Sequence, residues 1–129
     1  MSPLFGNREQ KAADEAAAAA EAARLTGLSP SELAVELMPV FGPGGPKASA
    51  GTGGLNLLQI GIALMEKFPR GVSQLRQLEQ PMREALQVLE HSELISRTTI
   101  RTGTWFSVTR LGESALADGS VASHVDGRS

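Results

Sequence analysis

The chain has no cysteine in its 129 residues. That excludes a disulfide framework and any thiolate metal site. It has only two histidines, His91 and His124, far apart in sequence. A metal centre needs several converging ligands, so both are expected to be structural or solvent-facing. No apolar run reaches membrane-spanning length and no secretory pattern opens the chain, which predicts a soluble cytoplasmic protein. A surplus of positive charge is missing too. Residues 55–118 hold seven Lys/Arg and seven Asp/Glu, and residues 1–54 hold four basic and six acidic residues, which accounts for the net charge of −2.

Catalytic patterns are equally scarce. Glu79, Glu84, Glu90 and Glu93 fall at helical surface spacings and read as a solvated face, with nothing to bury a catalytic pair. No serine or threonine has a base nearby in sequence. The stretch GPGGPKASAGTGG (Gly42–Gly54) has glycines and a lysine but lacks the G-x-x-x-x-G-K-S/T order of a phosphate-binding loop. The expectation is a protein that is not an enzyme and takes no cofactor.

What is present is organised around Ser73–Leu116. Ser73 can cap a short helix with Leu75 and Leu78 buried. Pro81 suits the first position of a second helix, in which Met82, Ala85, Leu86 and Leu89 share a face and which fades at His91-Ser92. A break at Gln80-Pro81 then makes a helix-turn-helix. Leu94–Thr109 is rich in Ile, Thr, Trp, Phe and Val, and Thr102-Gly103 is an acceptable hairpin turn. In that register Arg101 faces Thr104, Ile100 faces Trp105 and Arg97 faces Val108. Ile95, Phe106 and Val108 lie over the core, and Ile100 and Trp105 form an apolar pair on the other face. Thr109 can cap a closing helix through Leu111, Ala115 and Leu116.

This order predicts a mainly α fold with a small β-hairpin: a winged helix-turn-helix preceded by N-terminal helices. Two strings carry a family resemblance. Leu89-Glu90-His91-Ser92-Glu93-Leu94-Ile95 resembles the "L-E-x-x-G-L-I" end of a recognition helix. Val108-Thr109-Arg110-Leu111-Gly112 resembles the "L-T-x-x-G" that follows a wing. Both are similar to winged-helix DNA-binding regulators of the MarR and PadR type, over about Leu55–Leu116, half of the chain. The match departs at Glu93, where the pattern has Gly, and at Val108, where it has Leu.

Four segments complete the expected organisation. Residues 1–41 are an N-terminal helical segment. Its alanine-rich part, REQKAADEAAAAAEAARL, has high helix propensity but almost no large apolar residue before Leu25. It is expected to fray in the isolated chain rather than to pack through its alanines. Leu28–Phe41 has a capping box at Ser29 and Glu32, Pro30 at the first helical position and a Leu28–Leu33 staple. Leu33, Leu37 and Phe41 line a face that needs cover, from this chain or from a second copy. Residues 42–54 are a flexible Gly/Pro linker. Leu55–Phe68 is a helix apolar on more than one side, in which Gly61 suits a close crossing. It opens the winged helix over 55–118, and the tail 119–129 is expected to be disordered.

The basic residues point to function. Arg83 and Gln87 project one turn apart from the second helix, where base edges are met in a major groove. Arg76 on the preceding helix is a phosphate contact. Arg97 and Arg101 share a hairpin face, as wing arginines that reach the backbone or a minor groove do. The resulting expectation is a dimeric DNA-binding transcriptional regulator. The alternative is a winged helix for protein–protein interaction, with Leu33, Leu37, Phe41, Ile100 and Trp105 as contacts. A continuous positive stripe around Arg83 and Arg101 favours DNA, and alternating signs favour a protein partner.

Overall fold

The computed structural model describes residues 3–43, 45–46, 54–101 and 103–126. The fold is mainly helical, with one two-stranded antiparallel hairpin. In chain order it runs α1 (Pro3–Thr26), α2 (Pro30–Leu37), a 3-10 turn at Met38–Phe41, α3 (Leu57–Leu64), a 3-10 turn at Gly71–Gln74, α4 (Leu75–His91), β1 (Ile95–Ile100), β2 (Gly103–Val108), α5 (Arg110–Asp118) and α6 (Val121–Asp126).

Helix α4 is the central element. Leu78, Met82, Ala85, Leu86 and Leu89 form its buried stripe. The expected break at Gln80-Pro81 is absent, because Pro81 lies inside one continuous 17-residue helix. A proline there loses one backbone hydrogen bond and costs about 3 kcal/mol in a helix interior. The stripe runs on both sides of Pro81, so an unbroken helix buries all five residues at once. Each large one adds about 1.5–3 kcal/mol, enough to offset the proline.

Helix α2 lies on α4, and α6 covers it from another side. Its start is as expected. Ser29 Oγ accepts from Glu32 N–H, and Glu32 Oε1 accepts from Ser29 N–H at 2.9 Å. Glu32 is held below the usual carboxylate range mainly by that backbone hydrogen bond. The covering surface belongs to the same chain. Leu33 and Leu37 are buried in the common core, and Phe41 packs against it. Leu33 and Leu37 are therefore core residues and not a surface for a partner, while Phe41 stays half-buried.

Two further expectations are corrected. The alanine-rich helix does not stand apart: Ala18, Ala22 and Leu25 of α1 are fully buried in the same core as α4. Their spacing of four and three makes one face, and methyl side chains let the helices approach closely. Arg24 ties α1 to α2, with Nε 2.8 Å from Glu21 and Nη2 3.0 Å from Glu36. The hydrogen bond from Arg24 holds the Glu21 carboxyl below its ordinary value. The tail is not wholly disordered either. Residues 121–126 form α6, with Val121 and Val125 buried. The short Val-x-x-x-Val face has a ready partner in α2. Of the proposed linker, positions 44 and 47–53 lie outside the described residues, as do 127–129 of the tail.

The hairpin register differs from the expected one by two residues. Ile95 pairs with Val108, Arg97 with Phe106, Thr98 with Trp105, and Ile100 with Gly103. Gly103 is thus a strand residue beside the turn, at φ +140°. Pairing Ile95 directly with Val108 stacks two β-branched side chains against the core. A shift of two residues keeps every side chain on its expected face. Ile100 and Trp105 still share a face but meet only diagonally, and Arg101 belongs to the turn. Leu55, expected inside a helix, instead bridges to Phe106, with both backbone hydrogen bonds at 2.8 Å. It extends the hairpin by one short strand position.

The junction after α4 is tightly built. Glu93 takes φ +63°, a left-handed conformation that glycine favours. Thr109 Oγ1 donates to Glu93 O at 2.6 Å and accepts from Gly112 N–H at 3.0 Å, capping α5. A side chain on Gly112 has no room, since a Cβ there falls 2.1 Å from Leu94 O.

Candidate functional site

An open cleft of about 530 Å³ lies between the outer face of α4, the hairpin and the start of α3. Helix α4 supplies Gln80, Arg83, Glu84, Gln87 and Glu90. The hairpin supplies Arg97, Thr104 and Phe106, and α3 supplies Leu57 and Leu58 after Asn56. Three of the five cationic or amide residues expected to act together, Arg83, Gln87 and Arg97, do meet here. Helical spacing puts Arg83 and Gln87 on one side of α4, and Arg97 shares a hairpin face with its cross-strand partner Phe106.

The other two stand apart. Arg76 is exposed beside a separate groove between α3 and the first turns of α4. Arg101 is exposed at the hairpin turn. Ile100 is 41% exposed. Trp105 is half-buried, with an enclosed Nε1 that has no hydrogen-bond partner among the described residues.

Signs alternate within the cleft. Arg83 Nη2 lies 2.9 Å from Glu79, and Arg97 Nε lies 3.5 Å from Glu90. The arginine side chains are 58% and 54% exposed. Ion pairs so open to solvent contribute about 0–1 kcal/mol, so either arginine can exchange its partner at little cost. One row down the middle of the outer face is free of acid: Gln80, Arg83 and Gln87, with the glutamates to either side.

Helix α3 contributes to the cleft as well, which the expected site did not include. Asn56 Oδ1 accepts from Gln59 N–H at 2.8 Å, and Gln59 Oε1 accepts from Asn56 N–H at 2.9 Å. The Asn-x-x-Gln spacing marks a helix start at Leu57. That start brings Leu57 and Leu58 to the cleft mouth, with Leu58 61% exposed. Among the described residues no group of three His, Asp or Glu is placed to hold a metal ion. No helix among them is long and apolar enough to cross a membrane. No family model, curated protein or solved structure matches the chain.

Proposed function

We propose that the chain is a winged-helix DNA-binding regulator that reads a duplex with α4 and the β1–β2 hairpin. The order of elements supports the fold. Helix α2, the single strand position Leu55, α3, α4 and the two hairpin strands follow one another as three helices and three strand positions of a winged helix. In this reading α2, and not Leu55–Phe68, is the first helix.

One observation carries the function: Arg83 and Gln87 of α4 meet Arg97 of the hairpin in one open cleft. Arginine pairs with guanine O6 and N7, and glutamine with adenine N6 and N7. Arg83 and Gln87 therefore read bases, while Arg97 and Arg101 engage backbone or minor groove. Arg76 lies outside the cleft, beside the groove between α3 and α4, where a phosphate contact is its expected role. Glu79, Glu84 and Glu90 offset most of the positive charge. Each phosphate neutralised contributes about −0.9 to the slope of log K against log salt. With so few uncompensated arginines, the slope is expected to be shallow, about −2 to −3 per copy.

The test is selection of bound duplexes from a random pool at low salt, followed by titration of variants. Arg83→Ala should cost about 1–3 kcal/mol and flatten preference at one base position. Arg101→Ala should weaken all sequences alike and reduce the salt slope by about 1. Failure to bind any duplex at low salt sinks the proposal. The paired arginines and the exposed Leu58 favour a second reading, in which the cleft receives a protein segment. That reading predicts the failed titration.

A further inference from the structure

The outer face of α3 carries an apolar ridge of two residues. Leu58 is 61% exposed and Ile62 is 43% exposed, one helical turn apart. Beside this ridge runs a groove of about 380 Å³, floored by Gly61, Leu75 and Met82. The groove exists because residue 61 is glycine. A Cβ there would stand 3.0 Å from Leu75 Cδ2 and 3.2 Å from Met82 Cε. The bare backbone lets α3 lie close on α4 and leaves a shallow floor. Arg76 and Glu79, one turn apart on α4, border the groove.

We infer that this face pairs with the same face of a second copy of the chain, α3 against α3 about a two-fold axis. The occupant follows from self-complementarity. A two-fold interface must match a surface to itself, so it needs a projection and a recess side by side. Here the ridge and the groove share one helix, and ridges set into grooves are how helices pack. Charge points the same way. An antiparallel two-fold sets Arg76 of one copy opposite Glu79 of the other, and Glu79, whose exposed pair with Arg83 exchanges at little cost, opposite Arg76. Arg76 has no ion pair among the described residues. A partner of one sign matches only half of this rim, whereas a second copy matches both halves. The pairing goes beyond the DNA reading and stands without it.

The absence of cysteine makes the test direct, because an introduced thiol is the only one in the chain. Ile62→Cys should form a disulfide between two copies under mild oxidation. Ser114→Cys, exposed on α5, should not. By sedimentation the full chain should be dimeric at high micromolar concentration. Ile62→Glu should weaken the dimer about tenfold or more while melting like the parent. Arg76→Glu should weaken it as well, and adding Glu79→Arg should restore it. A monomeric parent chain, a silent Ile62→Cys or an Ile62→Glu dimer of unchanged strength each overturns the proposal. Ile62 does not line the α4 cleft, so duplex binding by the Ile62→Glu chain reports on the DNA reading separately.

Discussion

The inward side of α4 carries Leu78, Met82, Ala85, Leu86 and Leu89, none more than 2% exposed. Its outward side carries Arg76, Arg83 and Gln87, held by nothing stronger than an exposed ion pair. The two sides share one backbone but obey different energetics. On the inner side each side chain is surrounded, so removing atoms leaves a void that its neighbours fill only in part. On the outer side water replaces whatever is removed. Stability is therefore concentrated inside, and the outer residues are free to be chosen for what they contact. The hairpin repeats the contrast. Ile95 is buried at its base, and Ile100 stands exposed near its turn.

Substitution on each side sharpens this division. The largest effect is expected from Leu86→Ala, which should cost about 2–5 kcal/mol. Arg83→Ala, three residues away on the outer side, should change stability by no more than about 0.5 kcal/mol. Denaturant melts of the two variants decide it: equal losses would dissolve the distinction between the sides. Gly112→Ala comes next, at about 1–3 kcal/mol or somewhat more, because a Cβ there meets Leu94 O and Val108 Cγ2. If its melting midpoint matches the parent, the α4–α5 junction is looser than the contacts imply. The smallest effect has the opposite sign. Glu93→Gly should stabilise by up to about 1 kcal/mol, since Glu93 sits at φ +63° and glycine relieves the left-handed strain at some cost in unfolded-chain entropy. A loss of stability there would mean that the Glu93 side chain has a role of its own.

Local chemistry was readable in advance because it depends on neighbours within a few residues. The cap at Ser29 with Glu32, the cap at Thr109, the buried stripe of α4 and the alternation of the strands all follow from such short spacings. So does the pairing of Arg83 with Gln87 on one outer face. Bringing Arg97 and Leu58 to that face took the tertiary fold, because the register and the start of α3 had first to be set. The Asn56–Gln59 spacing was the available signal for that start.

Pro81 shows where local rules stop. A proline suits the first helical position and so reads as a helix start, and it is overruled here because the buried stripe of α4 continues on both sides of it. The fate of the alanine-rich helix was likewise undecided by its own residues. Alanine favours helix by itself, but whether Ala18, Ala22 and Leu25 find a surface depends on α4, more than fifty residues away. The same holds for Val121 and Val125, which need α2, and for Leu33 and Leu37, whose cover comes from this chain. The sequence by itself determined the caps at Ser29 and Thr109, the apolar sides of α2 and α4 and the faces of the hairpin strands, because propensity, capping and periodicity are local. Only the tertiary structure decided what each apolar side meets, the hairpin register and the continuity of α4, because those follow from burial summed over segments distant in the chain.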